Sequence, residues 1–280
     1  DTIGRPLAQK MSENLGQQVV VENRGGASGN IGMEYVARSA PDGYTLVFAL
    51  TAQLAVNPAL YQKLPYDPIR DFAPVSLLGS GGYILVAHPS LPVKNVKELI
   101  ALAKARPGQI TYSSSGNGSG GHLAMELLDH MAGIRMLHVP YKGGGPALMD
   151  CLAGQVQLLF ATQLASWQHI QAGRIRALAT STLKRPASLP YLPTVSESGL
   201  PGFDAGVWYG LLAPAGTPRE IVNRLNGEVV RALQQPDYRK LLVGNTIEPV
   251  GGSPEQFSQY IRSELTKWSK VIKDAGVHVD

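Results

Sequence analysis

A β-prone run, Ile110-Thr111-Tyr112, leads through Ser113-Ser114-Ser115-Gly116-Asn117-Gly118-Ser119-Gly120-Gly121 to His122, where a helical stripe of Leu123, Ala124, Leu127, Leu128 and Met131 begins. This order of strand, glycine-rich loop and helix is the unit from which parallel sheets are built. The helix opens with unpaired N–H groups at the positive end of its dipole, and the glycines let a bound group approach the backbone. The loop therefore suits an anion, and a carboxylate is the expected one.

The pattern recurs. A strand at residues 136–139 runs into Tyr141-Lys142-Gly143-Gly144-Gly145, with Pro146 at the predicted first helical position and Lys142 as a candidate cation. A strand at 156–160 runs into Ala161-Thr162-Gln163 and a segment around Trp167. Earlier, an apolar strand at 44–50 ends in a polar loop carrying Thr51 and Gln53. In parallel sheets ligands bind beyond the carboxyl ends of strands, where all of these loops stand. The candidate binding residues are thus Thr51, Gln53, Ser115, Gly116, Asn117, Gly118, Ser119, Gly120, His122, Lys142, Gly143, Gly144, Thr162, Gln163 and Tyr209.

Other readings of the first loop fail on spacing. Gly116, Gly118, Gly120 and Gly121 do not match the dinucleotide fingerprint, and no acid stands at residues 136–142 to hold a ribose. No Gly-Lys-Ser/Thr ends the loop, and Ser119 follows Gly118 directly, so neither a Walker A loop nor a nucleophile elbow is present. A purely structural turn stays open. His122, Glu126 and His130 fall on one helix face away from the apolar stripe, which predicts a solvated face and not a metal site. Trp167, Trp208 and Tyr209 are candidate pocket walls or core, and Cys151 reads as a small buried hydrophobe.

A chain of 280 residues with 31 Gly and 20 Pro can bury a large core and turn often. Its net charge of +4 is scattered, and aromatics make up 7%, which argues against a nucleic-acid partner. One cysteine excludes an intrachain disulfide and a thiolate metal cage, and no apolar run reaches membrane-spanning length.

In order, the sequence predicts a helix at 2–15 stopping at Gly16, a strand at 18–22, a glycine-rich turn at 23–30 and a helix to about residue 39. Further strands are predicted at 83–88, 175–180 and 207–213. Capping boxes at Asn95/Glu98, Thr217/Glu220 and Ser253/Gln256 open helices, the last running through Lys273. Asp1 stands at a helix start with no strand before it, so a strand, a loop and a leader are expected upstream.

Glu22-Asn23-Arg24-Gly25-Gly26-Ala27-Ser28-Gly29-Asn30-Ile31-Gly32 and Ala40-Pro41-Asp42-Gly43-Tyr44-Thr45-Leu46 resemble the solute-binding proteins of tripartite tricarboxylate transporters, the Bug family of proteobacteria. So do Val139-Pro140-Tyr141-Lys142-Gly143-Gly144-Gly145-Pro146-Ala147, Ala172-Gly173-Arg174-Ile175-Arg176-Ala177-Leu178-Ala179 and the stretch from Leu192-Pro193-Thr194 to Gly202. The resemblance covers essentially the whole chain. It implies an α/β, two-lobed periplasmic-binding-protein fold of the Venus flytrap, type II-like kind, with residues 1–80 and 204–280 in one lobe, 81–203 in the other, and a hinge of two crossing segments. It implies a periplasmic monomer that binds a small carboxylate and serves membrane transporter subunits, with no cofactor, no metal and no catalytic residues. Members that bind amino acids commonly carry an Asp after the strand matching 156–160. Ala161 stands there, so a di- or tricarboxylate or aromatic carboxylate is expected. The alternative is an α/β enzyme acting on a carboxylate or phosphorylated substrate.

Overall fold

The computed structural model describes residues 1–26 and 29–275; Ala27 and Ser28 of the predicted glycine-rich turn lie outside the described residues. In chain order the elements are α1 (Gly4–Leu15), α2 (Asn30–Ala37), β1 (Val47–Leu50), a π-helical turn (Ala52–Val56), α3 (Asn57–Leu60), β2 (Phe72–Gly81), β3 (Ile84–Ala87), α4 (Val96–Ala105), β4 (Thr111–Ser114) and α5 (Gly120–Ala132). They continue as β5 (Leu137–Pro140), α6 (Gly144–Leu152), β6 (Leu158–Ala161), α7 (Gln163–Gln171), β7 (Arg176–Thr180), β8 (Val207–Pro214), α8 (Arg219–Gln234), α9 (Pro236–Gly244), β9 (Ile247–Pro249) and α10 (Pro254–Ala275). Two compact units form: Asp1–Ser80 with Trp208–Val243 and Ile247–Asp280, and Gly81–Val207 with Gly244–Thr246.

The first unit holds a sheet in the order β1-β8-β2-β9, with β1 antiparallel to β8 and Leu50 opposite Tyr209. Successive side chains of β8 face opposite ways, as a pleated strand requires. Leu211 joins Leu7, Met11, Val75, Leu225 and Val229 in one core cluster, with Tyr209 packed against it. Trp208 turns the other way, edge-on to Phe257 and Tyr260, and its indole N–H donates to Glu264 at 2.9 Å. Helix α1 stops where Gly16 enters the left-handed region (φ 64°) and closes onto the Ser12 carbonyl.

The second unit holds a sheet in the order β5-β4-β6-β3-β7. Strands β5, β4 and β6 are parallel, and β3 runs antiparallel to β6 and β7. Ser114 is level with Pro140 and Ser113 with Leu159, so β5, β4 and β6 end together and their following loops leave from one edge of the sheet. Leu148 and Cys151 of α6 pack with Ile84, Val86 and Leu159 of the sheet in one buried cluster.

Several predicted elements differ. Residues 18–22 are irregular: Val19 N–H bonds the Ser12 hydroxyl, while Val20 is 76% exposed, and no strand among the described residues pairs with them. The polar loop after β1 is instead a π-helical turn, because Leu54, Ala55 and Val56 are all buried and continue into α3. Helix α6 begins at Gly144, two residues before Pro146. The capping box at Thr217 does not form: Pro218 is the N-cap, and the Thr217 hydroxyl turns back to the Pro214 carbonyl at 2.8 Å. The boxes at Asn95 and Ser253 do form. The sequence reading missed β2, α9 and β9.

Candidate functional site

In the second unit, three helices begin just past the ends of three adjacent parallel strands: α5 after β4, α6 after β5 and α7 after β6. The loops carry Ser115, Gly116, Asn117, Gly118, Ser119, Lys142, Gly143, Thr162 and Gln163 to this common edge. The β4 and β5 loops meet, since a Cβ on Gly116 would come within 3.3 Å of the Tyr141 carbonyl. Glycine is required at Gly116 and Gly143, whose φ values of 128° and 122° an L side chain rarely adopts. Behind the loop, a Cβ at Gly121 would press the Phe160 carbonyl at 3.0 Å, so the start of α5 lies tight on β6.

The amides of this edge divide into spent and unspent groups. Gly116 N–H donates to the Ser114 hydroxyl at 3.1 Å, Gly118 N–H to His122 Nδ1 at 3.0 Å, and Ser119 N–H to the Gly116 carbonyl at 3.2 Å. Ser119 caps α5 by accepting the His122 N–H at 3.4 Å, which leaves its hydroxyl proton to donate elsewhere. Among the described residues, the N–H groups of Asn117, Gly120 and Gly121 donate to no protein acceptor. Helices α6 and α7 begin at Gly143 and Thr162 with no side-chain cap. No Asp or Glu occurs in residues 115–121, 141–145 or 161–163. The edge presents donors without a carboxylate, which is the chemistry of an anion site.

His122 does not stand on a solvated face. It is 6% exposed and lies under the loop in a polar cluster. Its ring stacks on His138 with centroids 3.9 Å apart, and His138 stacks on Tyr112 at 4.9 Å. His122 Nε2 is 3.5 Å from Glu126 Oε1, which also accepts the Tyr112 hydroxyl. Burial works to raise the Glu126 carboxyl, but hydrogen bonds from His122 and Tyr112 outweigh it and hold the group below its ordinary range. Burial, with help from Glu126, pushes the Tyr112 phenol up. Burial and the neighbouring His122 push His138 down to about 4. His130 is exposed, and no group of three metal-binding side chains occurs among the described residues.

The other predicted residues fall in different settings. In the first unit, the Thr51 hydroxyl accepts the Trp208 N–H at 2.8 Å, and Gln53 Oε1 accepts the Leu50 N–H at 3.0 Å, so both fix the turn after β1. A buried trio that the sequence reading missed steadies the same turn: Asn57 and Tyr66 both donate to Asn30 Oδ1, and the Tyr66 hydroxyl also reaches the Gln53 carbonyl. No local pattern marks these residues, which stand far apart in sequence. Tyr209 is half-buried and packs on Phe48 at 5.9 Å against the core of the first unit. In the second unit, Gln163 Oε1 accepts the Ser188 hydroxyl at 3.3 Å, and Lys142 is exposed. The Ala161 methyl is buried in the core beneath α6. Cys151 is buried in that core, and its thiol is pushed up to about 12. A groove of about 640 Å³ in the first unit, floored by Leu7, Met11, Phe48 and Leu225, holds none of the candidate residues.

Residues 3–277 match the model of the tripartite tricarboxylate transporter family receptor. The chain is 38% identical over 277 residues to protein BugT of Bordetella pertussis, covering 99% of this chain and 85% of BugT. Among solved structures it is similar to R. palustris Rpa4515 with adipate, at TM-score 0.90 and 40% identity, over 100% of this chain and 94% of that one. It is also similar to MatC (Rpa3494) from Rhodopseudomonas palustris with bound malate, at TM-score 0.85 and 33% identity, over 97% and 94%. These likenesses bear out the α/β, two-lobed binding-protein fold expected from the sequence. A family match over nearly the whole length, with BugT aligned over 99% of this chain and 85% of its own length, makes this chain a member of the tripartite tricarboxylate transporter receptor family, the Bug solute-binding proteins.

Proposed function

We propose that the chain is an extracytoplasmic receptor that captures a small ammonium-free dicarboxylate and hands it to membrane transporter subunits without chemical change. The observation that carries this reading is the row of three helix N-termini at one sheet edge, with the Asn117, Gly120 and Gly121 amides unspent and no acidic side chain in the loops. Each helix N-terminus stabilises an anion by roughly 1 kcal/mol or less, and the loop amides add charge-assisted hydrogen bonds. An ammonium group brought to the same edge finds no carboxylate partner in these loops and keeps most of its desolvation cost. The ligands named for two similar structures, adipate and malate, are both dicarboxylates. Ser115, Asn117, Gly120, Gly121 and the α6 start at Gly144 are the proposed contacts to one carboxylate, with Lys142, Thr162 and Gln163 beside them. Thr51 and Gln53, at the turn after β1, are proposed as further ligand contacts. The division into lobes at 1–80 with 204–280 and 81–203, and their closure on ligand, belong to this proposal, as does a monomeric periplasmic protein.

Calorimetric titration with adipate, malate, succinate, citrate and nicotinate beside aspartate and glutamate tests it. Binding of at least one ammonium-free acid, and tighter than either amino acid, is expected. Binding of an amino acid alone would overturn the ligand class.

A further inference from the structure

His122 touches the glycine-rich loop at two points. Its own N–H caps onto Ser119, and its Nδ1 accepts the Gly118 N–H at 3.0 Å. A ring nitrogen that accepts cannot carry the proton, so the neutral ring holds its hydrogen on Nε2, facing Glu126 Oε1 at 3.5 Å. His138, stacked beneath at 3.9 Å, lies 2.7 Å from the Ser114 hydroxyl, and that hydroxyl accepts the Gly116 N–H. The two stacked imidazoles thus hold the loop at Gly118 directly and at Gly116 through Ser114. These are the two amides turned inward, whereas Asn117, Gly120 and Gly121 are left outward.

We propose that His122, in its Nε2–H form, is the positioning residue of the loop: by taking the Gly118 N–H it fixes which backbone amides face an incoming carboxylate, and proton uptake on Nδ1 unlocks them. The inference deepens the receptor reading above and rests on it for the ligand. A proton on Nδ1 would put two donors head to head, and the Gly118 bond is lost. The added charge does not make up the loss for an anion, because Glu126 sits beside it and pairs with it. The other titratable groups around the ring are Tyr112 from β4, His138 from β5, Asp129 on α5, and Tyr83, whose hydroxyl fills the space where a Gly120 side chain would stand. Tyr112 and Tyr83 are phenols that stay neutral in acid, and His138 is held down to about 4.

Two variants separate positioning from packing. His122→Asn sets an amide oxygen near the place of Nδ1, accepts the Gly118 N–H and takes up no proton. His122→Phe keeps the stack on His138 and removes the acceptor. With adipate and malate as probes, His122→Phe is expected to lose about tenfold or more in affinity at about pH 8, and His122→Asn to recover most of that loss. As pH is lowered from about 8 to about 5, wild-type affinity should fall and that of His122→Asn should stay flat. Equal losses in both variants, or the same acid dependence in wild type and His122→Asn, would overturn the inference. Nitrogen-15 NMR of the unliganded protein reads the lock itself: His122 should show the Nε2–H tautomer, with a Gly118 amide that is protected from exchange at neutral pH, relative to its intrinsic base-catalysed rate, and loses that protection in acid. A proton on Nδ1 in the neutral ring, or a Gly118 protection factor indifferent to pH, would sink it whether or not any dicarboxylate binds, and failure of wild type to bind the probes would count against the receptor reading alone.

Discussion

Gly144 and Gly118 both stand where a helix faces the proposed carboxylate, yet a side chain would fare differently at each. Gly118 has φ 72° and would be strained by any Cβ, so its loss confounds folding with binding. At Gly144 the backbone is ordinary and nothing lies within 4 Å of an added Cβ. Gly144→Val should therefore keep the melting temperature within about 3 °C while lowering dicarboxylate affinity by at least about tenfold, through exclusion of the ligand from the α6 terminus. Calorimetry and a thermal melt on the same sample check it; unchanged affinity would remove α6 from the site. At this scale the glycine loops were legible in the sequence because positive φ and close approach demand glycine itself. His122 was not. Helical periodicity gave α5 one apolar stripe, but residues from Gly121 to Met125 and from Leu127 to Asp129 are all buried, so the polar face is covered at His122 and opens to solvent only further along, at His130. Its partners Tyr112 and His138 come from two strands and cannot be paired with it by spacing.

Helix ends show what local chemistry can and cannot specify. At Asn95 the side chain accepts the Glu98 N–H at 2.9 Å, and Glu98 reaches back to the Lys94 N–H at 2.7 Å, so the first turn satisfies its own donors. Asn95→Ala should lower the unfolding free energy by about 1 kcal/mol, and Asn95→Ser by less, read as a shift of the urea midpoint at constant slope. Equal losses would mean that the carboxamide does more than cap. Thr217/Glu220 has the same spacing without the same result, because Pro218 occupies the N-cap and the Thr217 hydroxyl bonds Pro214 instead. Strand identity was harder to read. The consecutive valines at 19–21 have the β-branched composition of a strand, but a strand is made by its neighbour, and none among the described residues pairs there. Conversely, β2 carries Pro74, Gly79 and Gly81 and lacks clean alternation, yet it lies beside β8 and β9 in the first sheet with Val75 and Leu78 fully buried.

Across the whole molecule, acid acts on folding through two buried groups of the second unit that pull in opposite directions. Burial pushes the Asp129 carboxyl up to about 7; the Met136 N–H on Oδ2 resists this, and Glu126 adds to it. Its Oδ1 is buried without a partner. A carboxyl raised from the unfolded value near 4 contributes stability that is complete below that value and is lost as pH climbs through about 7. His138, depressed to about 4, contributes stability that is present above its unfolded value near 6.5 and is lost as pH falls toward 4. Between about pH 4 and pH 7 the two slopes therefore offset each other, and the wild-type stability profile should be shallow there. Asp129→Asn keeps an acceptor for Met136 and removes the charge. Its advantage over wild type should be greatest at about pH 8 and shrink toward zero by about pH 4, and with the Asp129 slope gone its own stability should fall more steeply in acid than wild type does. Thermal melts of both proteins across that range decide the matter: a stability difference that does not change with pH would show that the Asp129 carboxylate is not what burial penalises.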